Sequence, residues 1–418
     1  MKHTDHKFSP ETLMTSLGYN PFWSEGAVKC PIYQTSTFAF KTAAEGKAFF
    51  ELAYGLREPD EGEQLGLIYS RLNNPDLQIL EERLAVWDGA DECAVFESGM
   101  SAIATTLLEL LSPGDLLLFS NPVYGGTSHF IKHVLTKFGI KVIGFTAEHS
   151  KEDLIKIVND SGLADKLRAV YVETPGNPTN ALIDIEMTRE VADYFSKDDE
   201  KIPLIVDNTY LGPVFQHPMK HGADLVVYSA TKYIGGHSDV IAGAVSGKAH
   251  LMSRIKELRS FLGNMAGPWT GWLLMRSLET LKLRMEKQAY NAQKICEFLN
   301  DHPKIEKVSY LGNLKDGTKQ KEIFDKQCLS PGAMISIYVK GGEKEAFAFL
   351  DNIIIPKLAV SLGSTESLVQ HPASMTHAGI DPEEKQLLNI TDNLVRLSVG
   401  VENHEDLIWD IQQALEKI

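Results

Sequence analysis

Between residues 93 and 244 one pattern recurs: a short, almost wholly apolar run, a polar break, then a stretch with helical spacing. The runs are Cys93-Ala-Val-Phe96, Leu116-Leu-Leu-Phe119, Lys141-Val-Ile-Gly-Phe145, Ala169-Val-Tyr-Val172, Leu204-Ile-Val206, Leu225-Val-Val227 and Val240-Ile-Ala-Gly-Ala244. A strand wetted on one face alternates apolar with polar residues, so runs without alternation are read as strands buried on both faces. Helical stretches between them, such as Glu186 to Ser196, supply the cover. The expected class is α/β, with a mostly parallel sheet between layers of helices. Ligands of such sheets bind beyond the carboxyl ends of the strands, so the residues that follow each run are where chemistry is sought.

Two of those ends stand out. Pro203-Leu-Ile-Val-Asp207 finishes in an aspartate, and Ala223-Asp-Leu-Val-Val-Tyr228 leads into Ser229-Ala-Thr-Lys232-Tyr-Ile-Gly-Gly236. Asp207 and Lys232 lie 25 residues apart, the length of a strand–loop–strand step. A lone lysine is normally a solvated surface charge. Placed after Ser229 and Thr231, and paired with a strand-end aspartate, it suits pyridoxal phosphate (PLP). In that chemistry the lysine forms a Schiff base with the cofactor aldehyde, the aspartate keeps the pyridine nitrogen protonated and the hydroxyls bind the phosphate.

Ser98-Gly99-Met100 opens a helix whose free N–H groups make a phosphate cradle, although a plain helix cap has the same sequence. Tyr124, in Asn121-Pro-Val-Tyr124-Gly-Gly126, is placed to stack on a pyridine ring or to be an ordinary turn tyrosine. Arg396 sits inside an apolar strand, where burial is costly without an anion. A substrate carboxylate, matched by the two-pronged guanidinium, and a structural ion pair are both open readings.

The remaining chain divides on texture. Residues 1–66 have too little periodicity for a core of their own and read as an arm, with Pro31 to Phe40 extended and Leu56 to Gln64 a polar loop. Residues 67–265 form the large domain, in which Leu77 to Trp87 has helical spacing. Residues 266–418 are a bridging helix, Thr270 to Leu299, and a smaller α+β unit. That unit has strands near Gly332–Val339, Leu358–Ser361 and Leu394–Val399, a helix near Lys344–Leu350, and a last helix from about His404.

Composition narrows the function. Lys+Arg 41 against Asp+Glu 56 gives a net charge of −15 in 418 residues, which argues against nucleic acid or an anionic membrane as the partner. Cys30, Cys93, Cys296 and Cys328 are scattered, as expected for reduced thiols in a cytoplasmic protein. The start lacks the apolar core of a secretory leader, and no run approaches the roughly 20 apolar residues of a membrane span. Gly243-Ala-Val-Ser-Gly247-Lys248 is one residue short of a P-loop, and the pairs His129/His133 and His217/His221 lack further metal ligands, so no metal is expected.

Taken in order, a longer set of motifs accumulates: Tyr69-Ser-Arg71-x-x-Asn-Pro75, Ser98-Gly-Met100, Tyr124-Gly-Gly-Thr127, Glu173-Thr-Pro-Gly-Asn177-Pro and Val206-Asp207-Asn-Thr209. Tyr228 to His237, Ser361-Leu-Gly363, His371-Pro-Ala-Ser-Met-Thr-His377 and Arg396-Leu-Ser-Val-Gly400-Val-Glu402 complete it. Over roughly residues 30 to 402 the chain resembles the Cys/Met-metabolism family of PLP enzymes, which includes cystathionine γ-synthase, cystathionine lyases, methionine γ-lyase and O-acylhomoserine sulfhydrylases.

The resemblance implies an aminotransferase-like, fold type I enzyme. It makes Lys232 the Schiff-base lysine, Asp207 the partner of the pyridinium, and Gly99, Met100, Ser229 and Thr231 the phosphate ligands. Tyr124 stacks on the ring and gives a proton to the leaving group. Asn177 lies near the ring hydroxyl and, with Ser361, assists Arg396 in binding the substrate carboxylate. Tyr69 and Arg71 reach the phosphate of the neighbouring subunit, in a homotetramer of shared-site dimers.

The leading expectation for the reaction is γ-elimination by a carbon–sulfur lyase on methionine or a homocysteine-like substrate, giving a thiol, ammonia and 2-oxobutyrate. The alternatives are γ-replacement on an O-acylhomoserine by cysteine or sulfide, and cystathionine cleavage. The segment Gln370–His377 is similar to methionine γ-lyase, whereas Gly126 stands where those lyases usually carry cysteine. Asp76 stands where a threonine commonly follows Asn-Pro, and residues 43–67 form a longer stretch than in compact members.

Overall fold

The computed structural model describes residues 6–418 except 61, 64 and 198–200. The first five residues, where a leader would begin, and two positions of the polar loop Leu56 to Gln64 therefore lie outside the described residues.

Seven strands make the larger sheet: β1 (Glu92–Phe96), β2 (Leu116–Ser120), β3 (Lys141–Phe145), β4 (Leu167–Glu173), β5 (Leu204–Asp207), β6 (Leu225–Tyr228) and β7 (Gly243–Gly247). Their order is β1-β7-β6-β5-β4-β2-β3. The five strands from β6 to β3 pair in parallel, and β7 runs antiparallel to both β1 and β6. Every residue of β2, β5, β6 and β7 is buried, as unalternating apolar runs require. Leu117 and Phe119 face a core with helices Gly99–Leu110 and Ala249–Leu262, while Leu116 and Leu118 face Pro75–Asp88 and Ile185–Phe195.

One run is displaced from its expected place. Val240 to Ala244 does not form the strand; pairing starts at Gly243. Thr231 takes the Ala242 backbone first, its N–H and Oγ1 each donating to the Ala242 carbonyl at 3.1 Å and Oγ1 accepting from the Ala242 N–H at 3.0 Å. Gly243 then passes so close to the Ser98 carbonyl that a Cβ would stand 2.2 Å from it.

The smaller sheet has β8 (Ile305–Ser309), β9 (Met334–Val339), β10 (Lys357–Leu358), β11 (Leu368–Gln370) and β12 (Leu394–Ser398), ordered β10-β11-β12-β9-β8. β8 and β11 were not expected from the sequence, and the expected Leu358–Ser361 strand shrinks to the two residues of β10. The bridge Thr270 to Leu299 is two helices, Pro268–Leu278 and Leu281–Asn300. At the break the Ser277 carbonyl accepts from the Thr280 N–H at 3.2 Å and from buried Arg284 Nη2 at 3.0 Å. Pro268–Leu278 packs on Pro75–Asp88, and Leu281–Asn300 packs on the final helix, His404–Leu415.

In the arm, Pro31 to Phe40 makes a single bridge, Thr37 to Tyr69, and no ladder. A helix at Ala43–Ala53 went unread, although Thr42 and Glu45 have the spacing of a cap and Thr42 Oγ1 accepts from the Glu45 N–H at 3.1 Å. Among the described residues no helix is long and apolar enough to cross a membrane.

Candidate active site

The ends of β4, β5 and β6, the start of helix Gly99–Leu110 and the turn at Tyr124 converge on one cavity of about 230 Å³. Gly99, Met100, Tyr124, Asn177, Asp207, Ser229, Thr231 and Lys232, all singled out from the sequence, line it. It lies beyond the carboxyl ends of parallel strands, as the fold rule requires.

Lys232 has no carboxylate partner among the described residues; its Nζ donates to Ser361 Oγ at 2.8 Å. Burial, helped by the nearby Arg396 cation, pushes its pKa down to about 8. Ser361 holds a positive φ of 95°, a conformation rare outside glycine, with its carbonyl accepting from Arg396 Nη2 at 2.9 Å.

Asp207 is buried at the end of β5, where its carboxylate accepts from Thr209 Oγ1 at 2.6 Å, the Thr209 N–H at 3.1 Å and Tyr171 Oη at 3.0 Å. In the register of β4 and β5 it stands beside Glu173. Burial drives the pKa of both carboxyl groups up, and for Glu173 the Asp207 charge adds to the rise. Glu173 in turn accepts from the N–H groups of Tyr124, at 2.7 Å, and Asn177, at 3.0 Å, and so sets the two loops that carry those side chains.

Arg396, on β12 of the smaller sheet, meets Asn177 in the wall of this cavity and is only 3% exposed. Nη1 donates to Asn177 Oδ1 at 2.9 Å. The Gln370 amide satisfies the guanidinium only with its oxygen turned toward it, 2.8 Å from Nη2 and 3.1 Å from Nη1. Every one of these acceptors is neutral. The structural ion pair held open by the sequence is absent among the described residues, and a buried cation remains without an anion.

Ser229 and Thr231 differ in what they offer. The Thr231 hydroxyl is engaged with Ala242, whereas Ser229 packs against Gly99, where a Cβ would stand 2.9 Å from Ser229 Cβ. Tyr69 and Arg71 are not part of this cavity. They lie exposed, Arg71 over the Tyr69 ring at 5.9 Å and bonded to the Ser260 carbonyl.

Glu173, Tyr171, Thr209, Gln370 and His377 were not assigned roles from the sequence. Glu173 had a signal, a carboxylate ending an apolar run just as Asp207 does. His377, whose pKa burial and then Arg396 push down to about 4, had none beyond its motif.

The residues fit PLP on their own chemistry. A glycine-opened helix start lines the cavity for a phosphate, a buried carboxylate awaits a ring cation, and a lysine whose pKa is lowered to about 8 lines the same space. Such a site on a mostly parallel α/β sheet with a smaller sheet beside it defines a PLP-dependent enzyme of the aminotransferase-like fold. Residues 11–416 match the family model described as Cys/Met metabolism PLP-dependent enzyme, and the chain belongs to that family.

Its relatives include L-methionine gamma-lyase of Fusobacterium nucleatum subsp. polymorphum, 42% identical over 395 residues covering 94% of each chain. Cystathionine gamma-lyase of Rattus norvegicus is 38% identical, covering 94% of this chain and 92% of its own. Among solved structures, cystathionine gamma synthase of Xanthomonas oryzae pv. oryzae in complex with aminoacrylate and cysteine superposes with a TM-score of 0.87, 32% identity and 99% of each chain covered.

Proposed function

We propose that this chain is a carbon–sulfur lyase that carries out γ-elimination on L-methionine or a homocysteine-like amino acid, releasing a thiol, ammonia and 2-oxobutyrate. The observation that carries the reading is a half-buried lysine in the cavity with only a hydroxyl for a partner and, bonded to Asn177 of the cavity wall, a buried arginine without an anion. The likeness to lyases that act on methionine supports the choice of substrate.

When bound, PLP supplies the electron sink for negative charge at the substrate Cα. Lys232 would hold its aldehyde, Asp207 its ring nitrogen and the start of helix Gly99–Leu110, with Ser229, its phosphate. Arg396 and Asn177 bind the substrate carboxylate, with the Ser361 carbonyl aiming the guanidinium. Lys232, as a free amine, would be the base that takes the Cα proton and then a proton from Cβ, whose loss allows the Cγ–S bond to break. Tyr124 gives its proton to the departing sulfur as the Cγ–S bond breaks, and water completes release of ammonia and the oxo acid.

The division of the chain at residues 66 and 265 follows this reading, with the arm and the Tyr69–Arg71 segment serving a neighbouring copy in a homotetramer. Phe22, Trp23, Tyr54, Ile241 and Phe261 are exposed apolar side chains, which supports burial by another subunit. Four unpaired, buried cysteines support a reducing, cytoplasmic setting.

The test is 2-oxobutyrate release from L-methionine by the PLP-loaded protein with no thiol added, which the lyase reading expects. One observation favours the second reading, γ-replacement on an O-acylhomoserine. A Cβ at Gly126 would stand 2.6 Å from Tyr124 Cε1, so the bare turn lets the ring lie over it where a side chain would push it away. Consumption of O-acylhomoserine only with added cysteine or sulfide, and none of methionine, would overturn the lyase.

A further inference from the structure

A second cavity, of about 250 Å³, shares no lining residue with the first. It lies between the arm and helices Pro75–Asp88 and Pro268–Leu278, with Arg83 and Arg276 on its wall. Arg83 is only 4% exposed, yet among the described residues just one of its nitrogens is matched, Nε donating to the Leu17 carbonyl at 3.0 Å. Its two Nη groups have no acceptor there. Burial depresses the affinity of this guanidinium for its proton, and Glu279, Cys30 and Glu82 offset only part of that. Both Nη groups are open to the cavity rather than sealed from it, so a carboxylate entering there would meet the fork.

Two carboxylates act on it from nearby, Glu279 and Glu82, but neither is hydrogen-bonded to it among the described residues. Lys29, Arg83 and Arg276 line the cavity against one carboxylate, Glu279, which is already paired to Lys29 at 2.5 Å. The rest of the wall is apolar in character. Trp272 has its Nε1–H committed to the Cys30 carbonyl at 3.0 Å and Tyr19 its hydroxyl to the Ala27 carbonyl at 2.9 Å, so both offer rings to the space between them. A bare inorganic anion would meet the arginines and leave those rings wet.

We propose that this cavity is a binding site for a small organic carboxylate with an apolar body, its carboxylate on Arg83 and Arg276 and its body against Tyr19 and Trp272. The excess of cations over carboxylates selects a net anion over a zwitterion, an oxo acid or aryl acid rather than an amino acid. The site is independent of which carbon–sulfur reaction the first cavity performs.

The experiment uses the full-length, PLP-loaded protein with benzoate as the calorimetric probe and 3-bromobenzoate for a crystal soak. Benzoate is expected to bind wild type and to bind Arg276→Glu at least about tenfold more weakly, the loss that a charge-assisted pair carries. Arg276 is exposed, so this variant keeps its fold if Arg83→Gln does not. The bromine is expected beside Trp272, and the PLP absorbance of both proteins is expected to stay the same. Three results would overturn the proposal: equal affinity in Arg276→Glu, bromine only in the first cavity, or inorganic phosphate competing as well as benzoate. A crystal structure showing a carboxylate side chain of a second copy on Arg83 would overturn it as well.

Discussion

At the scale of single residues, the site is governed by which charges lack partners. Lys232 is buried against a hydroxyl and beside a cation, so its neutral form is favoured and its pKa falls from the ordinary 10.5 to about 8. Below about 8 the side chain is an ammonium, and above it a free amine able to attack the cofactor aldehyde. Covalent uptake of PLP by the cofactor-free protein should therefore quicken about tenfold per pH unit up to about pH 8 and then level off, whereas an unperturbed lysine would keep gaining to beyond pH 10. Stopped-flow absorbance between pH 6 and 10 measures this, and a rise that continues to pH 10 would contradict it. Arg396→Lys keeps the charge and loses the fork. KM for the amino acid should rise about 10- to 100-fold, kcat should move less and the PLP spectrum should not change. An equal fall in kcat and in kcat/KM would instead place Arg396 in the chemical step.

At the scale of elements, the cradle depends on how closely helix Gly99–Leu110 approaches the segment after β6. A methyl group at Gly99 would meet Ser229 Cβ at 2.9 Å and Cα at 3.0 Å, atoms that no rotamer change moves. Gly99→Ala should weaken PLP binding at least about tenfold and lower the melting temperature of the cofactor-free protein by a few degrees, as overpacking does. Fluorescence titration with PLP checks the first effect, and affinity equal to wild type would rule out a close-packed cradle.

Most strands of this sheet were legible in the sequence because burial on both faces leaves no room for polar alternation, whereas edge strand β3, also read as buried, is exposed or half-buried except at Phe145. β8 escaped notice because it is half exposed, with Glu306 and Lys307 in water, and β11 because three residues make no period. The Asp207 and Lys232 ends were visible for the same reason as their strands, each polar group standing where an apolar run stops. Around Arg396, the resemblance named Asn177 and Ser361 but the residues alone did not, and Gln370 went unnamed, since the three come together only when the smaller sheet docks against the larger.

At the scale of the whole molecule, Tyr69 and Arg71 have no task within one chain's cavity, and the exposed Ile241 marks its mouth. If they serve a neighbour, two dead variants should repair each other. Lys232→Ala mixed with Arg71→Ala, unfolded and refolded together, should regain activity in roughly a quarter of the sites, because each mixed two-fold pair contains one intact site. Activity of the mixture no greater than that of the separate variants would mean that each chain works alone.

The proposed carboxylate seat also spans the molecule's two sheets. Asn177 comes from the loop after β4, and Arg396, Gln370 and Ser361 from the smaller sheet and its edge, while Lys232 crosses the same gap to Ser361. A change of angle between the sheets would pull this set apart. On the proposed reading, an amino acid bound there would touch both sheets at once through its carboxylate, whereas an amine without a carboxylate would meet only the larger one.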